Sequence, residues 1–316
     1  MMNKIKSIFK LVRWPNLLMI AIMMILVYYC LMSPLFTSGI MGVLPPSPAF
    51  LLLVISLIFI VAGGYVINDY FDVEIDKVNK PEKLVVGRIF AEREALFFYR
   101  VLTFIGLVAG LASSLILIKT KFLTLFALLL LLVCVLHSYS SVYKRKFLVG
   151  NIIVSLSVAF AVFLPWLFEM LYLSNNELFL LVCKEIMINI LPIVLIYTVF
   201  AFLTTMMREI VKDAEDSEGD ALTHCRTIPV VCGINVTKII VALLALALFA
   251  VLINFHIMLI KMQANVSMFV LMLAECILVL ILINLFKAKK FSDFHAISVS
   301  LKIFMLVGIL TMLFVC

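Results

Sequence analysis

Nine apolar runs dominate the chain, each close to the roughly 20 residues that carry an α-helix across a bilayer. They cover about 16–33, 49–68, 95–118, 122–140, 149–172, 186–207, 237–257, 265–286 and 296–316. Only Lys119-Thr120-Lys121 separates the third run from the fourth. The runs are too long and too evenly apolar for the alternating strands of a membrane barrel. The pattern predicts an all-α fold, a polytopic membrane helix bundle of about nine transmembrane helices forming one domain over 1–316. Lys4, Lys6, Lys10 and Arg13 lead into the first run without a small-residue cleavage site, so an uncleaved first helix is expected rather than a signal peptide.

Composition agrees with the pattern. The chain is 66% hydrophobic and 14% charged, with mean hydropathy +1.26, far from the roughly 45–50% and 25% of soluble domains. Nine spans put alternate connections on opposite sides. One side holds Lys4, Lys6, Lys10, Arg13, Lys77, Lys80, Lys83, Arg88, Arg93, Lys144, Arg145, Lys146, Arg208, Lys212, Arg226, Lys287, Lys289 and Lys290. The other holds Lys119, Lys121, Lys184 and Lys261. Eighteen against four predicts an integral cell-membrane protein with a cytoplasmic N-terminus and a C-terminus on the far side. The net +7 then reads as membrane orientation and contact with anionic lipid or substrate, with no nucleic acid as partner. Seven scattered cysteines show neither a disulfide framework nor zinc spacing.

The longest polar loops, 69–94 and 208–236, both open with an acidic cluster. The first cluster is Asn68-Asp69-Tyr70-Phe71-Asp72-Val73-Glu74-Ile75-Asp76, and the second runs from Arg208 to Asp220. Aspartates stand at i, i+3 and i+7 in both: Asp69, Asp72, Asp76 and Asp213, Asp216, Asp220. On a continuous helix those positions share an arc of about 60°. Pro81 is expected to stop the first helical extension, Gly219 to end the second, and Pro229 to prevent an immediate restart. Helices, cluster, helices, cluster is a pseudo-repeat with halves of about 1–148 and 149–316, each giving a carboxylate trio to a shared cytoplasmic-facing mouth.

Three carboxylates on one face repel unless a cation sits among them. Oxygen ligands in this pattern suit Mg²⁺, which takes a few carboxylates together with substrate phosphate oxygens. Arg208, Lys212, Lys144 and Arg145 are placed to meet remaining phosphate charge. A diphosphate is the natural guest, and the apolar bundle suits a lipid tail on it. A cation-coupled transporter is the competing class, but its carboxylates belong near the membrane midplane. Glu275 is the main acid inside a span, and Arg100 and Lys302 are interior cations able to snorkel. A silent lipid-binding scaffold is a third class.

Asn68-Asp69-x-x-Asp72-x-x-x-Asp76, the second Asp-rich motif and nine predicted helices together resemble the UbiA superfamily of intramembrane prenyltransferases, over essentially the whole chain. Arg13-Trp14-Pro15-Asn16 is similar to the family's segment before its first helix. Tyr139-Ser140-Ser141-Val142-Tyr143-Lys144 is similar to its segment after the fourth. The resemblance implies Mg²⁺ held by Asp69, Asp72, Asp76, Asp213, Asp216 and Asp220. The metal in turn binds the diphosphate of an allylic prenyl donor, with Asn68, Lys144, Arg208, Lys212, Asn16, Tyr139 and Tyr143 in contact. It also implies an allylic carbocation, with Tyr139, Tyr143, Tyr70 and Phe71 as aromatic faces beside it.

Arg208-Glu209-x-x-Lys212-Asp213-x-Glu215-Asp216-x-Glu218-Gly219-Asp220, then Arg226-Thr227-Ile228-Pro229 and Gly233, is similar to the branch that contains digeranylgeranylglyceryl phosphate synthases. So is Asn79-Lys80-Pro81-x-Lys83. The implied acceptor is the hydroxyl of a prenylated glycerol phosphate, its phosphate near Lys77, Lys80, Lys83 or Arg88. The alternative acceptor is an aromatic quinone precursor of homogentisate, 4-hydroxybenzoate or dihydroxynaphthoate type. Val85-Val86-Gly87-Arg88 departs from the family's small polar stretch there. His137, His224, His256 and His295 share no spacing. Glu209, Glu215 and Glu218 are either supports for the cluster or solvent-facing.

Overall fold

The computed structural model describes residues 2–36, 47–79, 84–117, 122–175 and 177–315. The chain is built of α1 (Met2–Leu11), α2 (Trp14–Leu26) running into a π-helical turn (Val27–Leu31), α3 (Ser33–Phe36), α4 (Ser47–Phe71) and α5 (Val73–Asn79). Then come α6 (Glu92–Leu117), α7 (Phe122–Ser141), α8 (Val149–Leu173), α9 (Glu177–Glu215) and α10 (Ser217–Leu222). It closes with α11 (Ile228–Lys261), α12 (Asn265–Lys287) and α13 (Phe291–Leu310). Among the described residues, nine helices are long and apolar enough to cross a membrane. The break expected at Lys119-Thr120-Lys121, together with Lys80, Pro81 and Lys83, lies outside the described residues.

Two spans run longer than their apolar cores predict, Leu180–Glu215 and Ile228–Lys261. At 1.5 Å per residue α9 extends about 58 Å, well past a hydrocarbon core of about 30 Å. Its last turns, bearing Arg208 to Glu215, are thereby carried beyond the apolar layer. At the start of α11, Pro229 does not block the helix as expected. It occupies the first turn, where a missing N–H costs nothing. The interruption comes instead at Gly233, whose φ of 81° and ψ of 162° break the helical path. Nothing lies within 4 Å of the Cβ that another residue would place there, so the backbone angle alone demands glycine.

The chain divides into two compact units that interleave along the sequence. The first comprises 1–24, 35–144 and 164–188. Here α4 lies against α6 and α7. Gly106 and Gly110 form a small-xxx-small face on α6 that lets two backbones approach. A Cβ on Gly106 would stand 2.9 Å from Ile60 Cγ1 and 3.0 Å from the Ser56 carbonyl oxygen. A small core of Leu11, Val66, Val73, Val85, Val86, Phe90 and Ala95 seats α5 beneath the end of α4. Gly87, at φ 84°, turns Val85-Val86-Gly87-Arg88 back on itself, its N–H donating to the Phe90 carbonyl at 2.8 Å.

The second unit comprises 25–34, 145–163 and 189–316. Consecutive helices α11, α12 and α13 pack pairwise. Lys238 Nζ reaches the Ala288 carbonyl at 2.6 Å and satisfies the end of α12. The π-helical turn Val27–Leu31 packs against the 3₁₀ turn Thr311–Phe314, burying Tyr28, Leu31 and Met312. The first acidic cluster falls in the first unit and the second cluster in the second.

Candidate active site

Neither trio sits on a loop, and neither rides a continuous helix. Each helix breaks at the middle aspartate: α4 ends at Phe71 and α5 starts at Val73, and α9 ends at Glu215 and α10 starts at Ser217. The peptide hydrogen bonds nevertheless run through both breaks with one pattern. Asp72 N–H donates to the Asn68 carbonyl (3.0 Å) and Asp76 N–H to the Asp72 carbonyl (2.8 Å). Asp216 N–H donates to the Lys212 carbonyl (2.9 Å) and Asp220 N–H to the Asp216 carbonyl (3.0 Å). Gly219, expected to end the helix, lies buried within α10.

In the first cluster each of two aspartates has its own cation. Arg13 Nη2 donates to Asp69 Oδ1 at 2.8 Å, and the guanidinium lies 4.8 Å from the Tyr65 ring centroid. Arg13 takes a left-handed backbone, φ 52°, at the corner between α1 and α2, and this corner aims it. Asn16 Nδ2 donates to Tyr65 Oη at 3.2 Å, so Asn16 supports that platform. Asp72, 4% exposed, accepts from Asn68 Nδ2 at 2.7 Å and from Lys144 Nζ. Burial works against the Lys144 charge, but Asp72, Tyr139 and the hydrogen bond to Asp72 together hold its pKa above the ordinary lysine value. Asp76 is half-buried on α5, beside the Lys77–Glu74 surface pair. Tyr70 meets Phe71 edge-on (5.2 Å), Phe71 meets His137 (5.9 Å), and His137 stacks on Tyr99 (5.9 Å). Tyr139 is half-buried and Tyr143 exposed.

In the second cluster Glu209 is the organiser. Its two oxygens accept from Arg208 Nη1 and Lys212 Nζ, both at 2.9 Å. Asp213 Oδ2 accepts from Asn151 Nδ2 of α8 at 2.8 Å, and Asn151 is 9% exposed. Asp216 is half-buried, Asp220 buried and Glu218 exposed. Glu215 Oε1 lies 3.0 Å from His295 Nδ1. Glu209 and Glu215 therefore support the cluster, whereas Glu218 faces solvent. Asn151 and Tyr65 were not among the residues the sequence singled out, and His137 was weighed there only as one of four unrelated histidines. For Asn151 the available signal was an amide just inside an apolar run, which requires a partner there. Glu169, passed over as an interior acid, is fully buried on α8, and Glu275 lies 3.2 Å from His256 Nδ1.

Among the described residues, no three His, Cys, Asp or Glu side chains converge closely enough to form a metal cage alone. Mg²⁺ does not need one, because it keeps waters and takes one or two carboxylates plus phosphate oxygens. The first cluster also holds a buried acceptor without a partner, Asn68 Oδ1, beside Asp72. A neutral oxygen left unsatisfied next to a carboxylate fits a hard cation.

The sequence profile of the UbiA prenyltransferase family matches residues 26–306. The chain belongs to the UbiA prenyltransferase family. It is a multi-pass membrane prenyltransferase rather than a transporter. A digeranylgeranylglyceryl phosphate synthase of Sulfolobus acidocaldarius is 35% identical over 195 residues, 61% of each chain and so less than two thirds of that relative. The synthase of that name from Sulfurisphaera tokodaii is 32% identical over 252 residues, 78% of each chain. Among solved structures, one described as a digeranylgeranylglyceryl phosphate synthase in membranes has the same fold, with TM-score 0.61 at 22% identity and 99% of both chains covered. A UbiA homologue from Archaeoglobus fulgidus bound to DMAPP and Mg²⁺ also shares the fold. Its TM-score is 0.57 at 17% identity, covering 97% of this chain and 99% of the other.

Proposed function

We propose that this enzyme transfers a geranylgeranyl-type group from an allylic diphosphate to the hydroxyl of a geranylgeranylglyceryl phosphate, with Mg²⁺ as cofactor. The observation that carries the reading is the 32% identity over 78% of both chains to a digeranylgeranylglyceryl phosphate synthase. The DMAPP and Mg²⁺ bound by the Archaeoglobus fulgidus homologue support the donor class and the metal.

Asp69, Asp72 and Asp76 with Asn68 Oδ1 in the first cluster, and Asp213, Asp216 and Asp220 in the second, are the residues we assign to Mg²⁺. When bound, the ion offsets the charge of the donor's diphosphate and makes it a better leaving group. Arg208 and Lys212, held side by side by Glu209, meet the remaining phosphate charge. Lys144, kept protonated by Asp72, does the same from the first cluster. The allylic C–O bond then breaks towards diphosphate, leaving a cation on the prenyl carbon. Tyr70 and Phe71, adjoining Asp69 and Asp72, offer π faces to it. The acceptor's hydroxyl oxygen forms the ether bond and loses its proton, which the departing diphosphate takes up. Apolar helix walls keep water from capturing the cation first.

Membranes containing the enzyme should convert labelled geranylgeranyl diphosphate and geranylgeranylglyceryl phosphate to a di-ether product, seen by mass spectrometry. EDTA should stop the conversion and added Mg²⁺ restore it. Product formed only with aromatic acceptors would overturn the acceptor assignment, and EDTA-resistant turnover would overturn the metal.

A further inference from the structure

A cavity of about 510 Å³ in the second unit is lined by Arg145, Lys146, Phe147, Arg226 and Val231. Its walls are the connection between α7 and α8 on one side, and the connection between α10 and α11 with the first turn of α11 on the other. They are clasped by one backbone hydrogen bond, Arg226 N–H to the Arg145 carbonyl at 3.1 Å. Both walls carry a residue in a backbone state that side chains disfavour, Leu148 at φ 60° and His224 at φ 58°. The second wall is also tied to the acidic cluster, because Cys225 N–H donates to the Asp220 carbonyl at 2.9 Å.

Three cations thus share one cavity with no carboxylate in its lining. Neither arginine forms an ion pair among the described residues. All five lining residues are exposed, so this is an open basic cleft whose guanidinium groups an anion can reach directly. The diphosphate site described above uses carboxylates and metal, and this cavity has neither one aspartate nor one glutamate in its walls. It suits an anion recognised directly by guanidinium forks. A phosphomonoester carries a charge of about −1.5 to −2 at neutral pH, which three cations outweigh. Phe147 and Val231 give the same cavity an apolar side for a carbon chain next to the phosphate.

We propose that this pocket binds a lipid-borne phosphomonoester without a metal, and that its occupant is the phosphate of the acceptor. The assignment rests on the function proposed above. It moves acceptor recognition away from Lys77, which pairs with Glu74, and from the exposed turn bearing Arg88.

The test compares wild type with Arg145→Gln and Arg226→Gln in phosphatidylcholine nanodiscs. Losing one charge-assisted contact should raise the acceptor KM about ten- to a hundredfold, with the donor KM unchanged. Arg145→Lys and Arg226→Lys should restore part of it. Geranylgeranylglycerol, which lacks the phosphate, should show no difference between wild type and variants. Unchanged acceptor KM, or an equal rise for both acceptors, overturns the proposal. Adding phosphatidic acid tests the other source. If wild-type rates come to depend on that lipid and the variants lose the dependence, the pocket serves bilayer headgroups and the acceptor assignment falls. Glycerol phosphate should also raise the thermal midpoint of detergent-solubilised wild type and not that of the double Gln variant, and no rise in wild type counts against the pocket. Wild type that forms no ether product while still showing this thermal shift overturns the proposed function and leaves the pocket standing.

Discussion

Asn151→Ala isolates one contact on the second cluster. The amide donates to Asp213 Oδ2 at 2.8 Å, and the variant removes that bond alone. The Ser155 hydroxyl donates to the Asn151 carbonyl at 2.7 Å, a backbone contact that survives the change. A hydrogen bond to a charged group contributes about 1.5–3 kcal/mol. Asp213 keeps part of its surface accessible, so the lower value applies, about 1.5 kcal/mol. At 1.36 kcal/mol per decade, misdirecting this carboxylate should lower kcat/KM for the donor about tenfold. The loss should be greatest at low Mg²⁺ and shrink as Mg²⁺ rises, because a looser ligand is compensated by metal concentration. The assay is initial-rate transfer of labelled geranylgeranyl diphosphate by purified enzyme across a Mg²⁺ titration. A variant with the wild-type Mg²⁺ profile, while Asp213→Ala is inactive, would refute the idea that Asn151 aims Asp213.

Asp72→Ala and Asp216→Ala should each abolish transfer in protein that still elutes as a folded species from size exclusion; full activity in both removes the two-cluster scheme. Gly106→Ala should lower the thermal midpoint in detergent, since its methyl would meet Ile60 and the Ser56 carbonyl and overpacking costs about 1–3 kcal/mol; an unchanged midpoint would show that α4 and α6 separate freely. Lys144 has a raised pKa, so the stability from its pairing with Asp72 is complete below the ordinary lysine value of about 10.4 and is lost only above it. The thermal midpoints of wild type and Lys144→Met should therefore run parallel from about pH 6.5 to 9. A gap that closes within that window contradicts the assignment.

The spans were legible because a bilayer asks for about 20 apolar residues in a row, and α12 runs to within a residue of its expected limits. Where charge begins, the pattern loses its meaning. The helical extension of the sixth span through Arg208 was expected to run on to Gly219, yet α9 ends at Glu215 and a separate α10 carries Gly219. Breaks at Asp72 and Asp216 were not legible, since i, i+3, i+7 spacing fits an unbroken helix equally well. Asn151 is distant from Asp213 in sequence, and no pattern within a single segment reveals a partner contributed by another helix. The aspartates themselves were plain, because they cluster with one spacing at the ends of two apolar runs, whereas Glu169, single and inside a run, was not.

The clasp between Val27–Leu31 and Thr311–Phe314 bears on how this protein is made. A chain entering a membrane from its N-terminus inserts its second helix long before its last. Tyr28 and Leu31 must wait in lipid until Met312 arrives, so the second unit closes only after the span that carries Thr311–Phe314 has entered the membrane. Ribosome stalling or truncation before Thr311 should therefore leave this early segment unprotected and hand the nascent chain to membrane quality control, even though both acidic clusters have already been translated.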